Sequence, residues 1–318
     1  MTNLLVVDVG TTGLRAAVVD ETLRVRTFEY RSCEPSTPAP GLAEFDGAAM
    51  AAGVLDAARA AIAGVDGPIA SVGVTNQRAS LLLWDRTTGE PLAPGLGWQD
   101  LRTIGECMMA RAEHGWALAP NQSETKAAWL LANTTDLEYR DLCFGTVDSW
   151  VVWTLSEGTL HVSDHTNSSA TTNGLRLVDG SGWNTEICDA LGVPTAALPT
   201  VVDSVGVCGN ATALPGAPPI AAVLGDQQAS LIGQGCVRPG RAKITFGSGG
   251  MLDLCTDGPT PDGARRHEAG TYPLPLWSIG GRLTWGVEGI MLSAGTNVEW
   301  LCDDLGLIDT PADSHSVA

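Results

Sequence analysis

The chain of 318 residues is 44% hydrophobic and 17% charged, a composition typical of a globular protein with room for two domains and a sizeable core. Its 36 acidic residues against 18 basic ones give a formal net charge of −18, which excludes general electrostatic attraction to nucleic acid or anionic lipid. A site for a polyanionic ligand must therefore be built locally, from backbone N–H groups, hydroxyls and metal ions.

The cysteines and the N-terminus indicate the compartment. The eight cysteines lie far apart, with no C-x-x-C pair and no nearby histidine, so we interpret them as reduced, buried thiols rather than zinc ligands. No apolar run approaches the roughly 20 residues that span a bilayer, and Met1 is followed by Thr2 and Asn3 rather than by a basic segment. We expect a cytoplasmic protein with no membrane or nucleic-acid partner.

The first segment of the chain reads as two strands joined by a short turn. Residues 4–9 and 14–20 are apolar runs, and the intervening Gly-Thr-Thr-Gly is too short for anything but a hairpin. A glycine-rich turn lets backbone N–H groups converge on an anion, and Asp8 beside it favours a Mg²⁺–phosphate arrangement. An ordinary hairpin is the alternative, since glycine and threonine are common in such turns.

The following elements alternate between helical and strand patterns, which predicts an α/β fold. Helices are expected over residues 48–62 and 125–131, and strands over residues 71–75, 80–84 and 220–224. The last of these strands ends in Gly-Asp-Gln-Gln, and a carboxylate just past a strand end, here Asp226, is a typical site geometry. A helix cap is the second interpretation of the same aspartate.

A second strand–turn–strand unit follows a candidate domain boundary. Residues 236–241 (CVRPGR) combine glycine and proline, which marks a boundary, and residues 242–254 (AKITFGSGGMLDL) then repeat the pattern of the chain's opening. Two such units, each opening a domain, predict a duplicated architecture in which two glycine turns face each other across a cleft.

A series of ordered motifs gives the chain a family resemblance. They are D-x-G-T-T-x-x-R at 8–15, GVTNQRASLLLWD at 73–85, TTGEPLAPGLGWQDLRT at 87–103, FGTVDSWVVWTL at 144–155, HVSDHTNSS at 161–169, LGDQQASLIGQ at 224–234 and KITFGSGGM at 243–251. In this order the chain resembles the FGGY family of carbohydrate kinases, and its glycerol kinase branch most. The resemblance implies an actin-like, ribonuclease H-like ATPase fold with two domains around a nucleotide cleft.

The resemblance also implies domains, ligands and residue roles. Residues 1–238 would form the N-terminal FGGY kinase domain and residues 239–318 the start of the C-terminal one. ATP, Mg²⁺ and a polyol or sugar are the implied ligands, with Asp226 as the general base and Asp8 organising the metal. Implied nucleotide-binding residues are Gly10, Thr11, Thr12, Arg15, Gly247, Ser248, Gly249, Gly295 and Glu299, and implied substrate-binding residues are Arg78, Trp98, Asn121, Asp226 and Gln227.

Some of these residues keep a second interpretation. Trp98 is also consistent with a core aromatic that fills a gap between layers. The segment around Gly295 and Glu299 is also consistent with an ordinary amphipathic helix that carries Ile290 and Val298 on one face.

Two departures from the family pattern bear on the substrate and on the second domain. In glycerol kinases a glutamate follows N-Q-R and binds polyol hydroxyls, whereas this chain has Ala79, and Asn121 replaces a pocket tyrosine. Losing a charge-assisted hydrogen bond costs roughly 1.5–3 kcal/mol, so we expect a polyol or sugar other than glycerol. Family members also continue past the position of Ala318, so we expect an incomplete second domain and a homodimer or second chain that completes it.

Other hypotheses remain at the sequence level. A non-catalytic sugar-binding or regulatory remnant, and one half of a split kinase, share the same motifs. A chaperone-like or actin-like ATPase is disfavoured, because the N-Q-R and W-Q-D segments match the sugar pocket of the kinases.

Overall fold

The computed structural model describes residues 2–168, 182–247, 249–256, 270–291 and 293–317. The chain divides into two compact units, and each is described by itself. The first comprises Met1–Asp226 and Trp277–Leu283, and the second comprises Gln227–Leu276 and Thr284–Ala318. The long N-terminal segment of the first unit ends at Asp226, ahead of the predicted boundary at residues 236–241. The family domains 1–238 and 239–318 stay a prediction.

The first unit alternates strands and helices, as the sequence predicts. In chain order its elements are β1 (Asn3–Val9), β2 (Gly13–Asp20), β3 (Val25–Ser32), β4 (Glu44–Phe45), α1 (Gly47–Ala63), β5 (Ile69–Asn76), β6 (Leu81–Asp85), β7 (Gly95–Leu96), α2 (Ile104–His114), α3 (Glu124–Asn133), β8 (Leu142–Thr146), α4 (Val147–Leu155), β9 (Val162–Asp164), α5 (His165–Ser168), α6 (Thr185–Ala190), β10 (Thr200–Val202), β11 (Val205–Asn210) and β12 (Pro219–Gly225).

The main sheet of the first unit has the strand order β11-β12-β5-β1-β2-β3. β1 and β2 form the predicted antiparallel hairpin, whereas β1, β5 and β12 run parallel to one another. β1 and β5 are not consecutive, and α1 provides the crossover between them, which is the usual way to join parallel neighbours. The carboxyl ends of three strands therefore meet at one edge of this sheet.

Small and aromatic side chains build the core beneath this sheet. Helix α1 begins at the Asp46 cap, whose carboxylate accepts a hydrogen bond from the Ala49 N–H at 2.9 Å. Its alanines allow close approach to β1 and β2, and α4 packs beside it. Trp84 is fully buried and makes edge-on contacts with Trp150 and Trp153, with ring centroids 5.2 and 5.8 Å away.

The second unit contains a small antiparallel sheet with flanking helices. Its elements are α7 (Asp226–Gly233), β13 (Ala242–Phe246), β14 (Gly250–Cys255), β15 (Thr271–Ile279), β16 (Arg282–Met291), α8 (Gly295–Asp303) and α9 (Ser314–Val317), except that Asp226 of α7 and the segment Trp277–Leu283, which includes the end of β15 and the start of β16, belong to the first unit. The predicted strand–turn–strand unit is present as β13 and β14, with Lys243 paired to Asp253 and Phe246 to Gly250. Among the described helices of either unit, none has the length and apolarity needed to cross a membrane.

The interpretation of the segment around Ile290 as helix is wrong. Ile290 lies in strand β16, where it pairs with Met251 of β14, and helix α8 starts only at Gly295. Apolar residues at helical spacing were present in the sequence, but the ladder with β14 determines the backbone here. Val298 and Glu299 do lie on a helix, as expected.

Candidate active site

The predicted site residues of the first unit lie at one edge of its main sheet. In the register of the parallel strands, Asn76 at the end of β5 pairs with Val9 of β1 on one side and with Gly225 of β12 on the other. Neighbouring strands lie about 4.8 Å apart, so the residues that follow them begin within about 10 Å of one another. The structure thereby brings together the Gly10 turn, the N-Q-R segment and the half-buried Asp226.

The Gly10–Gly13 turn has a fixed conformation. The Gly10 N–H donates to the Gly13 carbonyl at 3.0 Å, and the Thr12 carbonyl accepts from the Cys33 N–H at 3.0 Å. A Cβ atom on Gly10 would lie 3.3 Å from the Gly13 carbonyl oxygen, which is tight. Glycine at this position therefore keeps the turn closed and its outer surface free of a side chain.

Asp8 lies on β1 directly opposite Arg15 on β2. The Arg15 Nη1 atom is 3.2 Å from the Asp8 Oδ2 atom, and both side chains are partly exposed. Burial raises the pKa of Asp8, and the charge and hydrogen bond of Arg15 oppose that rise. The predicted metal residue is thus paired with the predicted phosphate-binding arginine.

The donor set around Asp8 fits a Mg²⁺ ion that arrives with a nucleotide. Mg²⁺ is commonly held by one or two carboxylates together with substrate phosphates and water. The described residues contain no group of three or more His, Cys, Asp or Glu that would hold an ion alone. Asp8, a single partly exposed carboxylate beside a glycine–threonine turn, matches the arrangement in which one carboxylate holds Mg²⁺ together with substrate phosphates.

Trp98 joins the sugar-side motif to the glycine turn. Its Nε1 donates to the Thr11 hydroxyl at 3.0 Å, and its backbone N–H donates to the Ser80 hydroxyl at 2.9 Å. Ser80 in turn donates to the Gln77 side-chain oxygen at 3.1 Å, and the Gln77 N–H donates to the Val9 carbonyl. Trp98 is half-buried and lies outside the core clusters, so its interpretation as a core aromatic is wrong.

The N-Q-R segment continues into an unusual backbone at Ala79. Ala79 has φ +64°, a left-handed conformation that costs a non-glycine residue roughly 1–2 kcal/mol. Its carbonyl accepts from the Ser123 hydroxyl at 3.2 Å, and the Ala79 side chain is buried. Asn121 lies in the turn just before Ser123, so the two positions that depart from the glycerol kinase pattern are close in the fold. Arg78 is half-buried and immediately precedes Ala79.

A buried charged cluster supports the same region and was missed by sequence reasoning. Lys126 is fully buried, and its Nζ donates to the Gly97 carbonyl, next to Trp98, at 2.6 Å. Burial lowers the pKa of Lys126 to about 7 and raises the pKa of the fully buried Glu124 to about 8. The available signal was the rarity of lysine, because the chain contains only Lys126 and Lys243.

The second lysine holds a predicted substrate residue in the second unit. Lys243 Nζ donates to the Gln227 side-chain oxygen at 2.7 Å and to its carbonyl at 3.2 Å. The same Nζ lies 3.0 Å from a carboxylate oxygen of Asp253, and both of these side chains are fully buried. Thr245 also donates to the Gln227 side chain. The ion pair between β13 and β14 thus fixes the orientation of Gln227.

The predicted nucleotide residues of the second unit lie together. The Gly247 N–H donates to the Gly249 carbonyl at 2.9 Å, which closes the turn between β13 and β14. The Gly295 N–H donates to the Gly247 carbonyl at 2.8 Å, so helix α8 begins beside this turn. Glu299 is exposed one turn further along α8. Ser248 lies outside the described residues.

Comparison with known proteins identifies the family. Residues 3–233 match the sequence profile of the N-terminal domain of the FGGY family of carbohydrate kinases. The chain belongs to this family. It is 40% identical over 336 residues to the glycerol kinase of Aromatoleum aromaticum and 39% identical over 337 residues to that of Alkalilimnicola ehrlichii. The matches cover 100% of this chain but only 66% and 67% of those relatives, so the chain spans about two thirds of their length.

Solved FGGY kinase structures have the same fold. The Plasmodium falciparum glycerol kinase with ADP is 23% identical, with a TM-score of 0.90 over 100% of this chain and 66% of its own. The ligand-bound xylulose kinase of Lactobacillus acidophilus is 18% identical, with a TM-score of 0.84 over 100% of this chain and 65% of its own. The α/β chain therefore has the actin-like ATPase fold of the carbohydrate kinases.

Asp148 and Asp164, two aspartates of the family motifs, are fully buried. The Asp148 carboxylate accepts from the hydroxyls of Thr146 and Ser163, and Asp164 lies next to it. Burial, together with the neighbouring Asp164 charge, raises the pKa of Asp148 to about 7. The folded protein thus holds a proton that the unfolded chain releases near its usual pKa of 3.8. The contribution of this proton to the free energy of unfolding is largest below the pKa of Asp148 in the unfolded chain. It is lost as the pH rises through the pKa of Asp148 in the folded protein.

We predict that Asp148→Asn removes this pH dependence. Between about pH 5 and 7, the free energy of unfolding of the wild type should fall relative to the variant by about 1.4 kcal/mol per pH unit, and the difference should level off above pH 7.5. Urea unfolding at a series of pH values measures it. Asp189→Asn, at an exposed position of α6, is the control for the loss of an aspartate. Parallel profiles for wild type and Asp148→Asn would contradict the prediction.

Proposed function

We propose that this protein transfers the γ-phosphoryl group of ATP to a hydroxyl of a polyol or sugar, with Asp226 as the general base. The main support is the register of β1, β5 and β12, which places an aspartate at the same sheet edge as a glycine–threonine turn. A phosphate-binding turn and a proton acceptor a short distance apart are what phosphoryl transfer to an alcohol needs, because catalysis consists mainly of alignment and electrostatic stabilisation.

In this mechanism the residues of the first unit align the acceptor and receive its proton. Asp226 accepts the proton of the attacking hydroxyl, while Arg78 and the Trp98 ring hold the remainder of the acceptor. Backbone N–H groups and hydroxyls of Thr11 and Thr12 hold the outer phosphates, and Arg15 lies near the transferred group. Asp8 would hold Mg²⁺, which supplies charge neutralisation for the phosphates when bound.

In the second unit, the turn at Gly247 and the start of α8 at Gly295 would contact the nucleotide, with Glu299 further along the helix. Gln227, fixed by Lys243, would donate to or accept from an acceptor hydroxyl. The overall charge of −18 disfavours a nucleotide at long range, so these local donors have to supply the affinity.

We propose that the acceptor is a polyol or sugar other than glycerol. Ala79 and Asn121 support this proposal, because together they remove a carboxylate and a phenol from the implied glycerol pocket. The names of the curated relatives, which are glycerol kinases at 36–40% identity, favour glycerol instead. Substitution at Ala79 distinguishes the two.

We propose that a second polypeptide, or a second copy of this chain, covers the apolar surface of the second unit. Exposed apolar side chains cluster on β13 and at the end of β16, including Phe246 at 76% exposure, Ile244 at 56% and Met291 at 48%. Exposed patches of this kind mark interaction surfaces or aggregation sites.

Asp226→Asn tests the general base. We predict that turnover falls by about 10²–10⁴, as is typical when a general base is removed, while the acceptor KM changes little. Steady-state kinetics with Mg·ATP and a panel of polyols and sugars measures the effect in whichever assembly is active. Asp189→Asn controls for the loss of an aspartate as such. Retained turnover would remove Asp226 from the mechanism.

Ala79→Glu tests the acceptor. We predict that kcat/KM for glycerol rises relative to other polyols, because the substitution restores a carboxylate acceptor worth roughly 1.5–3 kcal/mol. Ala79 already has the left-handed backbone that the glutamate would inherit. Ala79→Gln has nearly the same size without the charge and should give a smaller gain. If relative use of glycerol is unchanged or lower in Ala79→Glu, the pocket differs by more than this residue.

The uncovered surface predicts the behaviour of the isolated 318-residue chain. We expect it to dimerise or to be poorly soluble, and to bind Mg·ATP only weakly. Sedimentation measures its mass, and calorimetric titration with Mg·ATP measures its affinity. A soluble monomer with micromolar affinity for ATP would contradict both expectations.

A further inference from the structure

The short helix α5 connects the ends of two of the parallel strands. It follows β9 directly, and the Asp164 carboxylate organises it: the N–H groups of Thr166 and Asn167 donate to this carboxylate at 3.1 and 2.9 Å, and their side chains donate to it at 2.9 and 3.0 Å. Ser204 donates to the same carboxylate at 2.6 Å. These side chains are fully buried, so the helix is held without solvent.

One side chain of α5 contacts the end of β12. The Gly225 N–H donates to the Thr166 hydroxyl oxygen at 2.8 Å. Gly225 is the residue before Asp226, and the Thr166 hydroxyl donates its own proton to Asp164. The hydroxyl is thus used in both directions, as acceptor from the strand and as donor to the buried carboxylate. Thr166 thus holds the peptide between Leu224 and Gly225, one residue before Asp226.

The next side chain of α5 contacts the end of β5. Asn167 and Asn76 form a reciprocal amide pair, with the Asn76 Nδ2 donating at 2.9 Å and the Asn167 Nδ2 donating at 3.1 Å. Asn76 is the last residue of β5 and lies two positions before Arg78. The Asn76 Nδ2 also donates to the Gln77 carbonyl at 2.8 Å, which fixes the direction in which the chain leaves the strand.

We propose that Thr166 and Asn167 are positioning residues that set the location of Asp226 relative to Arg78. This proposal rests on the proposed function, in which Asp226 accepts the proton and Arg78 holds the acceptor. The ladder of β5 and β12 ends at Asn76 and Gly225, and the Gln77 N–H adds one further hydrogen bond to Val9, so Arg78 and Asp226 both lie beyond the ladder. Thr166 and Asn167 are adjacent in one helical turn and both bind the Asp164 carboxylate, and they connect the end of β12 directly to the end of β5. Since a misplacement of about 1 Å can cost about 10²-fold in rate, this connection bears on turnover.

A purely structural role for α5 predicts a different outcome. In that case, variants would lower stability and leave the turnover of the folded fraction unchanged. If α5 has a positioning role, variants lower kcat of the folded enzyme while the KM for ATP stays constant. A substitution that keeps the hydroxyl then leaves kcat near the wild-type value. The test therefore needs an isosteric variant without the hydroxyl and a smaller one with it.

Thr166→Val and Thr166→Ser form this matched pair. Valine keeps the shape but removes the acceptor for the Gly225 N–H, and serine keeps that acceptor. We expect kcat of Thr166→Val to fall about 10–100-fold with the KM for ATP nearly unchanged, and Thr166→Ser to stay within about threefold of wild type. Hydrogen exchange of the Gly225 amide should be faster in Thr166→Val and normal in Thr166→Ser. Kinetics use the active assembly, with the folded fraction determined by unfolding curves.

Each outcome decides one claim. Normal kcat or normal Gly225 exchange in Thr166→Val overturns the positioning role. If the wild type transfers phosphate to no acceptor, the proposed function is overturned. If only Thr166→Val loses activity, the proposed function stands. If Thr166→Val fails to fold, Asn167→Ser, which removes the amide pair with Asn76 and the side-chain hydrogen bond to Asp164, takes its place. It should raise the acceptor KM more than the KM for ATP, and equal changes in both would overturn the proposal.

Discussion

The register of three parallel strands is the constraint on which the rest of the first unit depends. Because Val9, Asn76 and Gly225 are aligned, the chain leaves β1, β5 and β12 at the same edge, and the Gly10 turn, Arg78 and Asp226 all follow directly from these strand ends. Trp98 reaches the first exit through Thr11. A shift of one residue in any of the three strands would turn its side chains to the opposite face and separate the carboxylate from the turn.

The net charge of −18 explains how the polar parts of the structure are built. With 36 acidic residues against 18 basic ones, the chain does not attract an anion at long range, and the candidate phosphate sites consist of backbone turns closed by their own hydrogen bonds. Both lysines are instead fully buried, where Lys126 binds the carbonyl beside Trp98 and Lys243 binds Gln227. They act as internal cross-links between motifs rather than as surface charges for ligands.

The sequence predicted the elements and the motif residues, because these depend on local patterns. The hairpin around Asp8, the helix α1 and the strand before Asp226 all follow from periodicity and turn residues. The failures depend on partners distant in the chain. Ile290 is in a strand because β14 lies beside it, and Trp98, for which a core position was the alternative interpretation, is half-buried and donates a hydrogen bond to the Thr11 hydroxyl. The left-handed backbone of Ala79 had no signal at all, since alanine normally avoids it.

Burial also changes the charge near the candidate site. The pKa of Glu124 is raised to about 8, so this acid is protonated near neutral pH, and Asp148, with a pKa raised to about 7, is charged only part of the time. Glu124 lies two residues before Lys126, which binds the carbonyl beside Trp98, and Asp148 follows β8 in the motif at 144–155. In an acidic protein, a carboxyl group that stays neutral can donate or accept hydrogen bonds in the scaffold without adding repulsion toward phosphate. Burial also lowers the pKa of Lys126, which is coupled to Glu124, to about 7, so the charges lost by this acid and this base nearly cancel and only the shift of Asp148 lowers the negative charge.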